Sequence, residues 1–155
     1  MLTPIEVREV ATPSGLTVEI ETSLARIGLD LGPAYERLFT LAGAAALQPA
    51  GPVFAAYVDQ EFDPERVHVV AGLPVSGEPR ASLDGAEFRS LDGGRCVVTT
   101  YVGPYEGIQK AWDEAWAWLT EHGHAVRGAP FETYRIGPGD AEPEHFETDI
   151  AIPIE

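Results

Sequence analysis

The chain has 155 residues, 45 % hydrophobic and 23 % charged, which are ordinary values for one globular domain with a sizeable core. Its formal net charge of −15, from 10 Lys and Arg against 25 Asp and Glu, excludes the clustered positive charge that phosphate-backbone binding needs. A single cysteine, Cys96, excludes an internal disulfide and any Cys-pair metal site.

The first elements are strands. Ile5–Val10 reads as a short strand, and Thr12-Pro13-Ser14-Gly15 as a turn. Leu16–Thr22 alternates, with Leu16, Val18 and Ile20 against Thr17, Glu19 and Glu21, which predicts a half-buried strand. Gly32-Pro33 then predicts a helix start, since proline suits the first turn. Leu31, Tyr35, Leu38 and Ala42 form its apolar stripe, and the stop is expected near Leu47, before Pro49. Val53–Val58 and Val67–Val75 read as two strands joined by the polar loop Asp59–Arg66. Residues 76–87 form a connection too short for a flexible linker between independent domains.

The second half follows the same order. Arg95–Tyr101 is a Val- and Thr-rich strand. Gly103-Pro104 precedes a helix to about His122, with Ile108, Ala111, Trp112, Ala115 and Leu119 on one stripe and Gly123 as its stop. Phe131–Ile136 and Phe146–Ile154 close the chain as strands; Phe146, Thr148, Ile150, Ile152 and Ile154 share a face of the last one.

The halves are related copies. Gly51, Phe54 and Tyr57 recur as Gly128, Phe131 and Tyr134, an offset of 77 (54 to 131), and Ala34-Tyr35 is echoed by Ala111-Trp112. Residues 69–75 recur as 148–154, an offset of 79, which superposes Val67, Val69, Ala71, Leu73 and Val75 on the apolar positions of the last strand. The expected fold class is therefore α+β, one duplicated domain over 1–155 with repeats of about 1–77 and 78–155. Each copy runs strand, helix, strand, strand. Pseudo-two-fold symmetry, an antiparallel sheet with two helices packed on it and a central ligand cleft between the halves are expected.

One position breaks the repeat in a chemically telling way: Ala55 corresponds to Glu132. By period two Glu132 shares a strand face with Tyr134 and Ile136, which suggests the inner side. A carboxylate there is costly unless hydrogen-bonded or paired, and burial disfavours the charged form of a carboxyl, which fits such a group for acid or base work. A strand glutamate facing water is the alternative on periodicity alone. Tyr57 and Tyr134 either line a pocket, where their hydroxyls could bind Glu132, or simply pack. Trp112 lies on the apolar stripe, while Trp116 flanks it and could edge a cleft; such rings suit flat or cationic ligands. His122, His124 and His145 lack standard ligand spacing, so no metal site is expected, and no cofactor either. The N-terminus shows no basic segment followed by an apolar one, and no apolar run approaches the ~18 residues of a membrane span, so a cytoplasmic location is expected.

Gly103-Pro104-Tyr105-Glu106 before a Trp-bearing helix, then Gly123, Phe131-Glu132-Thr133-Tyr134 and a last strand ending Ala151-Ile152-Pro153-Ile154 give the chain a family likeness. Ile5-Glu6-Val7-Arg8, Phe54-Ala55-Ala56-Tyr57 and Leu73-Pro74-Val75 extend it more loosely over the first half. The chain resembles the gyrase-inhibitory-protein-like small-molecule-binding family, the effector-binding domain of AraC- and MerR-type regulators. The resemblance implies an aromatic-lined cleft in which Glu132 receives lipophilic cations, with Tyr134 beside it; for a binding module of this kind, Tyr57, Tyr105, Trp112 and Trp116 are the expected aromatic walls. It implies, alternatively, a hydrolase that opens cyclopropane-bearing compounds with Glu132 and Tyr134 as catalytic residues, or a gyrase-inhibiting interaction protein. The duplication fills nearly all of the sequence, so a stand-alone form without a DNA-binding module is expected. Its expected partner is a hydrophobic or cationic small molecule, with gyrase or a regulator as the possible protein partner and no direct DNA or membrane binding.

Overall fold

The computed structural model describes residues 1–77 and 83–155, so part of the connection expected over 76–87 lies outside the described residues. In chain order come strands β1 (Glu6–Val10) and β2 (Ser14–Thr22), helix α1 (Ile27–Ala44), the short β3 (Gln48–Pro49), β4 (Phe54–Tyr57), β5 (Val67–Leu73), the short β6 (Val75–Ser76) and β7 (Glu87–Ser90). Then follow β8 (Gly94–Val102), a one-turn 3-10 helix (Tyr105–Gly107), α2 (Ile108–Glu121), β9 (Phe131–Ile136) and β10 (Glu147–Pro153). The fold class is α+β, as the sequence predicts.

The chain forms two compact units, one of residues 13–91 and one of residues 1–12 with 92–155. In the first, the antiparallel strand order is β7-β2-β5-β4. Leu16 stands opposite Leu73 and Val18 opposite Ala71, and this face packs against Ala34, Leu38 and Ala42 of α1. The alternation read in β2 thus marks the face that needs a helix, and burying these side chains contributes roughly 25 cal/mol of stabilisation per Å² of apolar surface removed from water.

α1 starts earlier than expected, at Ile27, which leaves Pro33 inside the helix. Arg26 at the N-cap makes no side-chain cap, so the usual start signal is missing from the sequence. Asp30 occupies the first turn instead, where its charge suits the helix dipole, and it accepts a hydrogen bond of 2.6 Å from Thr22 Oγ1. At the other end the Leu47 and Ala46 N–H groups bond back to the Ala42 and Gly43 carbonyls at 2.8 and 3.1 Å, and Ala46 takes a left-handed φ of 59°.

In the second unit the antiparallel order is β1-β8-β10-β9, and α2 packs against β8. Ala111, Trp112, Ala115 and Leu119 are its buried residues, four of the five positions on the predicted stripe. Gly123, with φ 69°, ends α2 by the same hydrogen-bond pattern that ends α1.

The offsets of 77 and 79 reappear as cross-strand register. Phe54, Ala55 and Tyr57 stand opposite Gly72, Ala71 and Val69; Phe131, Glu132 and Tyr134 stand opposite Ala151, Ile150 and Thr148. Two features depart from the sequence reading. The edge strand β7 was not expected; three of its four residues are exposed, so it carries no apolar alternation. In β9 the register shifts between Thr148 and Glu147, placing Ile136 opposite Glu147, so the simple alternation that groups Ile136 with Glu132 ends at Tyr134.

Candidate functional site

β9 carries Glu132 into the interior, where it is only 3 % exposed. Its carboxyl group accepts hydrogen bonds from two neighbouring aromatic side chains. The Trp112 indole Nε1–H donates to Oε1 at 2.6 Å, and the Tyr134 hydroxyl donates to Oε2 at 2.5 Å. Trp112 reaches it because α2 turns its buried stripe inward; Tyr134 reaches it because residues two apart on a strand share a face. Burying a carboxylate is expensive unless polar partners replace water, and these donors supply part of that replacement.

The equivalent place in the other unit has a milder chemistry. Tyr35 Oη donates to the Phe54 carbonyl at 2.6 Å, and the neighbouring Ala55 is fully buried. Tyr35 and Phe54 correspond to Trp112 and Phe131 at the 77-residue offset. A hydrogen bond to a backbone carbonyl in one unit therefore answers to one to a side-chain carboxyl group in the other.

Aromatic rings surround the acid. Tyr105 sits edge-on to Tyr134 at 5.8 Å between centroids and lies 5.1 Å from Phe146. Burial pushes the Tyr105 phenol above its ordinary value, and the negative charges of Glu132 and Asp140 push it the same way. Trp116 stacks on Trp112 at 6.5 Å and is 38 % exposed, so it edges the cluster toward solvent.

Glycines set the Gly103-to-Gly107 turn. Tyr101, buried on β8, donates its hydroxyl to the Pro104 carbonyl at 2.7 Å. A Cβ on Gly107 would come within 2.2 Å of that hydroxyl, and Gly103 has φ 145°, where other residues are strained. The turn that presents Tyr105 thus rests on Tyr101.

The structure brings Glu132, Tyr134, Tyr105, Trp112 and Trp116 together in one unit; in the other unit Tyr57 is half-buried on β4, opposite Val69. Sequence reasoning passed over Phe146 and Thr148. Thr148 is fully buried opposite Tyr134, and its hydroxyl has no hydrogen-bond partner among the described residues. Its signal was present: Thr148 is the polar residue on the otherwise apolar face of the last strand, matching Val69 in the first copy. Among the described residues, no three His, Cys, Asp or Glu side chains gather closely enough to hold a metal, and no helix is long and apolar enough to cross a membrane.

A small α+β protein with a buried acid among aromatic side chains is the class defined by this fold and cluster. Residues 16–155 match the GyrI-like small molecule binding domain, and the chain belongs to that family. No curated protein matches it in sequence. The C-terminal domain of EcmrR is similar in structure, with a TM-score of 0.80 at 18 % identity over 98 % of this chain and 97 % of that one. SAV2435 bound to tetraphenylphosphonium gives 0.64 at 16 % identity, over 99 % and 94 %. A hydrolase from Listeria innocua gives 0.64 at 14 % identity, over 97 % and 91 %. At these identities the likeness is one of fold.

Proposed function

We propose that the chain binds hydrophobic, cationic or aromatic small molecules, with Glu132 as the counter-charge. The observation that carries this reading is the Glu132 carboxylate itself, 3 % exposed and ringed by Trp112, Tyr134 and Tyr105. A buried anion is stabilised by a cation whose own desolvation is small, and aromatic faces add cation–π attraction. Delocalised lipophilic cations meet both conditions. The net charge of −15 raises their local concentration. SAV2435, of similar fold, holds such a cation, tetraphenylphosphonium. Trp116, at the solvent edge, and Tyr57 complete the proposed set of ligand-binding aromatics. Calorimetric titration with tetraphenylphosphonium tests the reading. Binding should weaken at least tenfold in Glu132→Gln; unchanged affinity would remove Glu132 from the site.

A second reading rests on the Tyr134–Glu132 hydrogen bond of 2.5 Å. An oriented carboxyl can pass a proton to an opening ring or take one from water. On this reading Glu132 and Tyr134 serve the hydrolysis of electrophilic cyclopropanes, with water adding across the cleaved ring bond. Its sign is turnover that disappears in Glu132→Gln. A panel of such compounds recovered intact after incubation would end it.

A further inference from the structure

The Glu132 cluster contains a second polar group of a different kind. Thr148 is 0 % exposed, and its Oγ1 is, among the described residues, the buried side-chain oxygen or nitrogen without a hydrogen-bond partner. A buried hydroxyl without a partner costs stability, so its presence needs a reason. Packing supplies none, because the equivalent position in the other unit holds Val69, of nearly the same shape. Valine is the less costly choice there, as it is isosteric and has nothing to desolvate.

The position of Thr148 links it to the acid. It stands opposite Tyr134 on one side and Tyr101 on the other, so it shares a sheet face with both. Glu132 stands opposite Ile150, two residues further along β10, which makes Glu132 and Thr148 diagonal neighbours, about 7–8 Å apart in such pairs. Where this unit has Glu132 and Thr148, the other has Ala55 and Val69. The two apolar-to-polar changes therefore fall on one face, within the span of a small molecule.

We propose that Thr148 is a specificity determinant of the Glu132 site, and that the ligand carries a hydrogen-bonding group, such as a hydroxyl or amine, beside its cationic aromatic body. This rests on the reading of Glu132 as counter-charge and adds to it. A purely hydrocarbon cation satisfies the acid and leaves Thr148 unpaired; a ligand with a polar substituent satisfies both.

The test compares tetraphenylphosphonium with the 2-, 3- and 4-hydroxyphenyl triphenylphosphonium isomers, which differ from it by one hydroxyl. In the unmodified protein at least one isomer should bind about tenfold tighter than the parent, the value of one good hydrogen bond. Thr148→Val should abolish that preference, while Thr148→Ser should retain it. No preferred isomer, or a preference that survives Thr148→Val, overturns the inference while Glu132-dependent binding of the parent stands. Absent parent binding, or binding indifferent to Glu132→Gln, defeats the counter-charge reading and this inference with it. Thr148→Val should also melt at or above the temperature of the unmodified protein. A lower value would show that the hydroxyl has a structural partner, which again overturns the proposal.

Discussion

The indole of Trp112 and the carboxylate of Glu132, 20 residues apart in the chain, meet at 2.6 Å inside the protein, between a helix and a strand. Trp Nε1 can only donate, so Oε1 is the acceptor there, and Oε2 accepts from the Tyr134 hydroxyl. The contact orients the acid and ties α2 to β9.

Removing that donor should be costly. Trp112→Phe keeps most of the ring volume and deletes the N–H. The loss should be about 1–3 kcal/mol of unfolding free energy, the range for stripping a partner from a buried polar group. In a double-mutant cycle by urea denaturation, the effect should shrink when Glu132→Gln is already present. Strict additivity of the two changes would disprove the coupling.

The Tyr105 phenol should titrate above the ordinary value of 10.0, because of its burial and then of the charges on Glu132 and Asp140. Glu132→Gln removes one of these causes and should shift the Tyr105 transition downward. Absorbance at alkaline pH, with Tyr105→Phe to assign the signal, measures it. A transition that stays in place in Glu132→Gln would contradict the proximity of the two groups.

The helix ends offer a matched pair. Both end with the same carbonyl bonding, but Gly123 occupies the left-handed position of α2 and Ala46 that of α1. The left-handed conformation costs a residue with a Cβ about 1–2 kcal/mol. Ala46→Gly should therefore raise the melting temperature, corresponding to about 0.5–1 kcal/mol after the entropy of glycine is subtracted. Gly123→Ala should lower stability by about 1 kcal/mol. Equal and opposite failures in calorimetry would mean that the helix ends relax freely.

Gly107→Ala should destabilise the turn that presents Tyr105, because its Cβ would meet the Tyr101 hydroxyl at 2.2 Å. The expected cost is about 1–3 kcal/mol, typical of overpacking a filled site. Adding Tyr101→Phe removes the clashing oxygen and should recover part of that loss in chemical denaturation.

Asp59 provides a pH dependence distant from the cluster. Burial raises its pKa, but the His68 backbone N–H at 2.7 Å, the His68 ring at 2.6 Å and the charges of His68 and Arg66 outweigh this and hold it below 3.8. A depressed folded value contributes stability above the unfolded pKa, and that stability is lost as pH falls through the folded one. The advantage of the unmodified protein over Asp59→Asn should thus be full near neutrality and fade below about pH 3.8. A difference that persists undiminished into strong acid would show that the carboxylate's charge is not its source.

Particular residues show what a linear reading could reach. The alternation in Leu16–Ile20 and the stripe Ala111–Leu119 identify a strand and a helix because burial imposes their periods locally. The same logic placed Glu132 and Tyr134 on one face, and the repeat marked Glu132 as different from Ala55. It failed where local chemistry was silent. α1 begins at an arginine without a cap, β7 exposes three of its four side chains, and the register shift in β9 has no signature in Arg135 or Ile136.

The sequence by itself determined the α+β class, the apolar faces of β2, β10 and α2, the family and the replacement of Ala55 by Glu132 in the repeat. All of these reside in residue type and short-range spacing. Only the tertiary structure decided that β1 pairs with β8, that Trp112 donates to Glu132, and that Thr148 is buried opposite Tyr134 with its hydroxyl unpaired among the described residues. Those relations join residues distant along the chain. They depend on which polar groups lose water together on folding, and that is settled only when the helix closes over the sheet.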